Sequence, residues 1–208
     1  PVRHRRPLSA SLRAAFSMKS LNRLGVHPAS LPLAADDILE FHVARLLLLM
    51  HICGTAGRID GLTKMAKLDF FTRYPDFFEV ARAAVGKPPQ VPEGEAAQAD
   101  GDTVEASMVR HHYGPWDKRY YHVLAHLEAK QLIHVEKQKK SYQISLTALG
   151  KDRAKLLVER PSFTPLVQRL RQVKTVFGSR SGTFLKDLIY RLFDAEVGRR
   201  EMGKVIRR

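Results

Sequence analysis

Apolar residues keep helical spacing through most of the chain and alternate in one stretch. The clearest helix opens at Asp36-Asp37, where Asp37 reads as the N-cap and Glu40 completes a capping-box pair. It runs from Ile38 to Cys53, and Leu46 to Met50 is unbroken apolar sequence. That run predicts a stem buried on most sides, ended by Gly54 and Gly57. Leu62, Met65, Ala66, Phe70 and Tyr74 share one face of a second helix, 62–74; Pro75 interrupts it, and Asp76 to Val85 forms a third, closed by Gly86. Residues 106–113 read as a short extended segment and Gly114-Pro115 as a turn. Trp116 to Gln131 is helical, with Tyr120, Val123, Leu124 and Leu127 at three/four spacing. Leu132 to Glu136 and Ser141 to Leu146 are the arms of a hairpin with Lys137–Lys140 at its tip; Tyr142, Ile144 and Leu146 alternate as a half-buried arm requires. Thr147 caps a helix to about Glu159, and two further helices span Thr164 to Phe177 and Thr183 to Phe193.

Two stretches lack this patterning. Residues 1–35 hold three prolines beyond Pro1 and one glycine, and read as a basic flexible arm with a short amphipathic helix from Ser9 to Leu24. Residues 87–105 are rich in proline and glycine, contain no aromatic, and read as an acidic linker or insertion. Between and after them lie 36–86, an N-terminal helical part, 106–160, a helix with its hairpin, and 161–208, a C-terminal helical interaction region.

Charge follows the same divisions. The chain of 208 residues has a formal charge of +14. The arm holds six bases and no acid, 106–160 eleven bases against five acids, and 161–208 eleven against four, whereas 86–105 is net acidic. Such a basic balance favours polyanions. One cysteine excludes a disulfide framework and any Cys-rich zinc site. No apolar run approaches the ~18 residues of a membrane span, and the charged start lacks a signal-like apolar stretch. A cytoplasmic, globular protein with no membrane association is expected.

Helix, short approach, hairpin with a cationic tip, then helix is the order of a winged helix-turn-helix. The residues are Tyr113-Gly114-Pro115-Trp116, Asp117-Lys118-Arg119-Tyr120-Tyr121 with Leu124 and Leu127, Leu132-Ile133, and Tyr142-Gln143-Ile144-Ser145-Leu146-Thr147-Ala148-Leu149-Gly150. This set resembles the DNA-binding domains of MarR- and PadR-type repressors, over residues 106–155 with the stem as first helix. Gln131 stands where those families carry glycine. The resemblance implies a mainly α winged helix with a β-hairpin wing and extra C-terminal helices. A recognition helix needs a polar first turn and an apolar back. Asp117, Lys118, Arg119 and His122 supply the first, and Lys137, Lys139 and Lys140 at the wing tip would follow the flanking backbone. Double-stranded DNA is the expected partner. Trp116 reads as a core anchor.

A second resemblance runs through Ala44–Leu49, Asp60–Pro75 and Leu185-Lys186-Asp187-Leu188-Ile189-Tyr190. These segments are similar to small accessory subunits of bacterial defence systems built around SMC-like or ABC-type ATPases. It implies a non-catalytic subunit of an anti-phage or anti-plasmid complex. Two apolar stripes after the wing agree with a docking role. Leu185, Leu188, Ile189, Leu192 and Phe193 are the expected contacts for a larger ATPase partner or a second copy. The alternative is a stand-alone homodimeric transcription repressor.

Other chemistry has weaker signals. His122 and His126 share a helix face, but no Glu follows His122 as a hydrolytic zinc motif needs. Gly178-Ser179-Arg180-Ser181-Gly182 lacks the Gly-Lys-Ser/Thr ending of a phosphate-binding loop. Asp60, Asp69, Asp187 and Asp194 read as caps and ion pairs, not nuclease carboxylates, and Cys53 as core. Neither enzymatic activity nor a cofactor is expected.

Overall fold

The computed structural model describes residues 39–87, 108–138 and 141–206. The expected arm and most of the expected acidic linker lie outside them, as do Asp37, Lys139 and Lys140. The described chain is mainly helical, with small antiparallel sheets that include a hairpin.

Helix α1 (Leu39–Cys53) is the stem. With little polar surface to face water it is buried over most of its length, and Leu46 to Met50 are each at most 2% exposed. It stops at Gly54, where a Cβ would come within 2.3 Å of the Met50 carbonyl oxygen. Thr55 and Arg58 then exchange N–H···O bonds of 2.9 and 3.0 Å across Ala56 and Gly57. Both turn residues have positive φ, 53° and 81°, the geometry of a two-residue hairpin turn. Strand β1 (Arg58–Asp60) follows, then α2 (Leu62–Arg73) and α3 (Pro75–Ala84). Tyr74 is extended between them because it precedes a proline.

Strands β2 (Val109–His111) and β3 (Gly114–Trp116) pair across residues 112–113. Gly114-Pro115 is therefore a strand and not the turn its composition predicts. The other edge of β2 receives the C-terminal segment. Arg110 N–H donates to the Lys204 carbonyl (2.9 Å), Ile206 N–H to Met108 (2.8 Å) and Gly203 N–H to Arg110 (2.8 Å). Helix α4 (Tyr120–Ala129) leads to β4 (Ile133–Gln138) and β5 (Ser141–Leu146), and the antiparallel sheet order is β1–β5–β4. Ile59 and Ile144 stand opposite each other on its buried face.

Glycine's absence at position 131 is accommodated directly. Gln131 takes the left-handed conformation, φ 56°, while its N–H donates to Glu128 and that of Leu132 to Leu127 (2.8 and 2.9 Å). This is a Schellman end to α4. Helix α5 (Ala148–Val158) starts at Thr147, whose hydroxyl accepts from Gly150 N–H (3.0 Å) and donates to the Gln131 carbonyl (2.7 Å). Gly150 is required there because a Cβ would lie 1.9 Å from the Leu132 carbonyl oxygen.

Helices α6 (Thr164–Phe177) and α7 (Gly182–Leu192) complete the core. Helix α6 packs on α1, with the Cys53 thiol donating to the Leu170 carbonyl (3.4 Å); burial pushes that thiol's pKa up to about 12. Helix α7 packs on α2 and α3. This corrects the expected docking stripe. Leu185, Leu188, Ile189 and Phe193 are at most 4% exposed, and Leu192 is half-buried against the same core. Phe193 meets Phe77 edge-on at 4.7 Å, and Phe71 stacks on Phe177 at 4.6 Å. The chain's own α2 and α3 cover the stripe expected to meet a partner. No described helix is long and apolar enough to cross a membrane.

Candidate nucleic-acid interface

Helix α4 has one side in the core and one side in water. Tyr120, Val123, Leu124 and Leu127 are buried, while Lys118 just ahead of the helix, and Tyr121, His122 and Ala125 within it, are exposed. Lys118 and His122, both expected site residues, thus share the approach and first turn of α4. Lys137 is exposed near the far end of β4. The Glu128 carboxylate accepts from Val135 N–H (3.0 Å), tying α4 to the hairpin.

The first turn of α4 is fixed by a buried charge network. Asp117 is only 6% exposed, so it supports the helix from inside and is not presented to a ligand. One oxygen accepts from the Arg119 backbone N–H (2.9 Å) and Nε (3.0 Å); the other accepts from Arg73 Nη1 (2.8 Å) and Arg119 Nη2 (3.0 Å). Arg119 is therefore held two-pronged against Asp117, with its side chain 33% exposed. Behind this pair, Asp69 accepts from Arg45 Nε (3.1 Å) and from the Tyr120 hydroxyl (2.7 Å). The network joins α1, α2 and α4 at one point.

Titration follows from these contacts. Burial alone raises the Asp117 pKa, but hydrogen bonds from Arg119 and the charges of Arg73 and Arg119 outweigh it. The carboxyl is held well below its usual range. Burial and the Asp69 charge push the Tyr120 phenol well above its usual value, so it stays protonated and donates. Asp69 and Arg73 stand four residues apart on α2, and Arg45 reaches Asp69 from just ahead of the leucine run of α1.

Beside the helix lies an aromatic surface. His111 stacks on Trp116 (centroids 5.5 Å apart), and Tyr121 tilts against the same indole (5.7 Å). Trp116 itself is 8% exposed, a core anchor, whereas Tyr113 and Tyr121 are 59% and 63% exposed. His111 is held below its usual pKa by burial, by His112 and by Lys67. The exposed tyrosines were not among the expected contacts, although exposed rings next to basic residues such as Lys118 are a recurrent nucleic-acid surface.

Among the described residues no cluster of three or more histidines, cysteines or carboxylates is placed to hold a metal. Asp60, Asp69, Asp187 and Asp194 each pair with a cation: Arg58, Arg45, Lys186 and Arg199 respectively. Compared with known protein families, curated proteins and solved structures, the chain matches none of them, so its function is read from its own residues.

Proposed function

We propose that this chain is a winged-helix protein that contacts duplex DNA through α4 and the β4–β5 hairpin and performs no catalysis of its own. The observation that carries the reading is the division of α4 and its approach, with Lys118 ahead of the helix and Tyr121 and His122 within it outward, and an apolar face locked inward. The element order α1, β1, α2, α4, β4, β5 and the sheet order β1–β5–β4 support it. Helix α3 and the β2–β3 hairpin are then an insertion between the second and third helices of the motif.

Service as an accessory subunit of an SMC-like ATPase complex, in anti-phage or anti-plasmid defence, is the biological setting we infer from the resemblance. Its docking surface is not the buried face of α7. The homodimeric repressor is the second reading, favoured by Leu149 and Leu156. They are 44% and 51% exposed, seven residues apart on one face of α5.

Fluorescence anisotropy with a labelled duplex tests the DNA reading. Lys118→Ala combined with His122→Ala should weaken binding and flatten the slope of log affinity against log salt by about one for each phosphate no longer neutralised. An unchanged slope and affinity would remove α4 from the interface. Light scattering on the pure chain separates the two settings: a dimer dispersed by Leu149→Glu with Leu156→Glu favours the repressor, a monomer the subunit.

A further inference from the structure

We propose that the open surface pocket between the end of α1, the Ala56–Gly57 turn, α5 and α6 is a binding site for the phosphate group of a small anionic ligand. The pocket has a volume of about 360 Å³ and is lined by His51, Lys151, Lys155 and Lys174 around the glycines of the turn. That volume falls within the ~300–1,000 Å³ range of small-molecule sites. Among the described residues no carboxylate lines it. Lys155 has one exposed ion pair with Asp152 at 3.4 Å, outside the lining.

Three lysines from two helices line one concavity, and an anion seated there is attracted by all three. His51 reports the field. It is half-buried on α1, and burial together with the charges of Lys155 and Lys174 holds its pKa below the usual value. A neutral imidazole there can donate one hydrogen bond to a phosphate oxygen. The glycine at 57 matters too: a Cβ would meet the Lys151 side chain at 3.3 Å, so its absence lets that chain lie over the turn.

The pocket is separate from the proposed DNA surface. The Gly57 carbonyl accepts from Leu146 N–H (2.9 Å) at the base of β5, while Lys137 pairs with Tyr142 toward the tip. Four residue steps of antiparallel strand from Tyr142 to Leu146 span roughly 14 Å, more than a Debye length at physiological salt.

The test follows the His51 ring by heteronuclear NMR on the full chain, titrated with inorganic phosphate and then pyrophosphate at constant ionic strength. We expect saturable shifts at millimolar phosphate, tighter binding of pyrophosphate, and a His51 pKa that rises on saturation. Lys155→Gln with Lys174→Gln should cost tenfold or more in phosphate affinity, with an unchanged thermal midpoint showing that the fold persists. Equal shifts from chloride, or none from either phosphate, would overturn the site. A short duplex that displaces pyrophosphate from wild type but not through α4 would show that the pocket serves nucleic-acid phosphates, and the small-ligand assignment would fall. Unchanged duplex binding in the α4 variant with the pocket titration intact would sink only the DNA reading.

Discussion

Lys67 lies fully inside the protein, and replacing it tests the energetics of the packing beneath the β2–β3 hairpin. Its side chain runs from α2 beneath the β2–β3 hairpin, where Nζ donates to the Pro115 carbonyl at 2.8 Å. Burial, assisted by the charge of Lys186, pushes its pKa from 10.5 down to about 7. Between those two values the unfolded chain binds one more proton than the fold, so stability rises with pH. The slope is about 1.4 kcal/mol per pH unit, and the whole window is worth ~5 kcal/mol. Methionine fills a similar volume without a charge, but it leaves the Pro115 carbonyl without its donor at a cost of about 2 kcal/mol. Lys67→Met should therefore be more stable than wild type by ~3 kcal/mol near pH 7, and the two should cross near ~pH 9. Urea unfolding followed by the fluorescence of Trp116, on the adjacent strand, measures both curves from neutral to alkaline pH. Parallel curves for the two proteins would refute the reasoning, because they would mean that Lys67 keeps its ordinary proton affinity in the fold.

Three other substitutions probe the geometry around α4. Gly150→Ala should destabilise by about 3 kcal/mol despite alanine's better helix propensity, since its Cβ collides with the Leu132 carbonyl; thermal denaturation reads the loss. Gln131→Gly should gain about 0.5–1 kcal/mol by relieving the left-handed conformation, and a lowered melting temperature would contradict the assigned helix end. Asp117→Asn should cost about 3 kcal/mol by removing the charge that Arg73 and Arg119 both face at 2.8 and 3.0 Å. Because the Asp117 pKa is depressed in the fold, its contribution is full above the unfolded value of 3.8 and fades as pH falls below it. Acid titration of wild type against the variant should thus converge only at low pH.

The helices were legible because their apolar spacing is local information. Thr164 to Phe177 matches α6 at both ends, and the hairpin's returning strand matches β5. Strand β1 was missed: three residues with one apolar side chain, Ile59, give no periodic signal, and the strand exists because β5 pairs with it from far along the chain. Helix α4 begins at Tyr120 and not at Trp116 because Asp117 captures the Arg119 N–H and turns residues 117–119. Gly114-Pro115 has turn composition, yet Lys67 takes the Pro115 carbonyl and holds the segment extended. For α7 the apolar face was visible, but an apolar face does not announce what covers it. Of the site, Lys118 and His122 at the start of α4 could be read from the sequence; the network beneath them joins Asp69 to Tyr120 and Arg73 to Asp117, positions more than forty residues apart, and could not.

The C-terminal segment has a consequence for the order in which the protein is made. Met108, Val109 and Arg110 receive their edge partners from residues 203–206, nearly a hundred positions later. While the ribosome is still translating the last helices, β2 has β3 on one side and an open row of backbone donors and acceptors on the other. An open edge of that kind invites pairing with a neighbouring nascent chain. Synthesis through Ile206 closes it, and because β3 leads directly into α4, residues made nearly a hundred positions later help to set that helix in its final place.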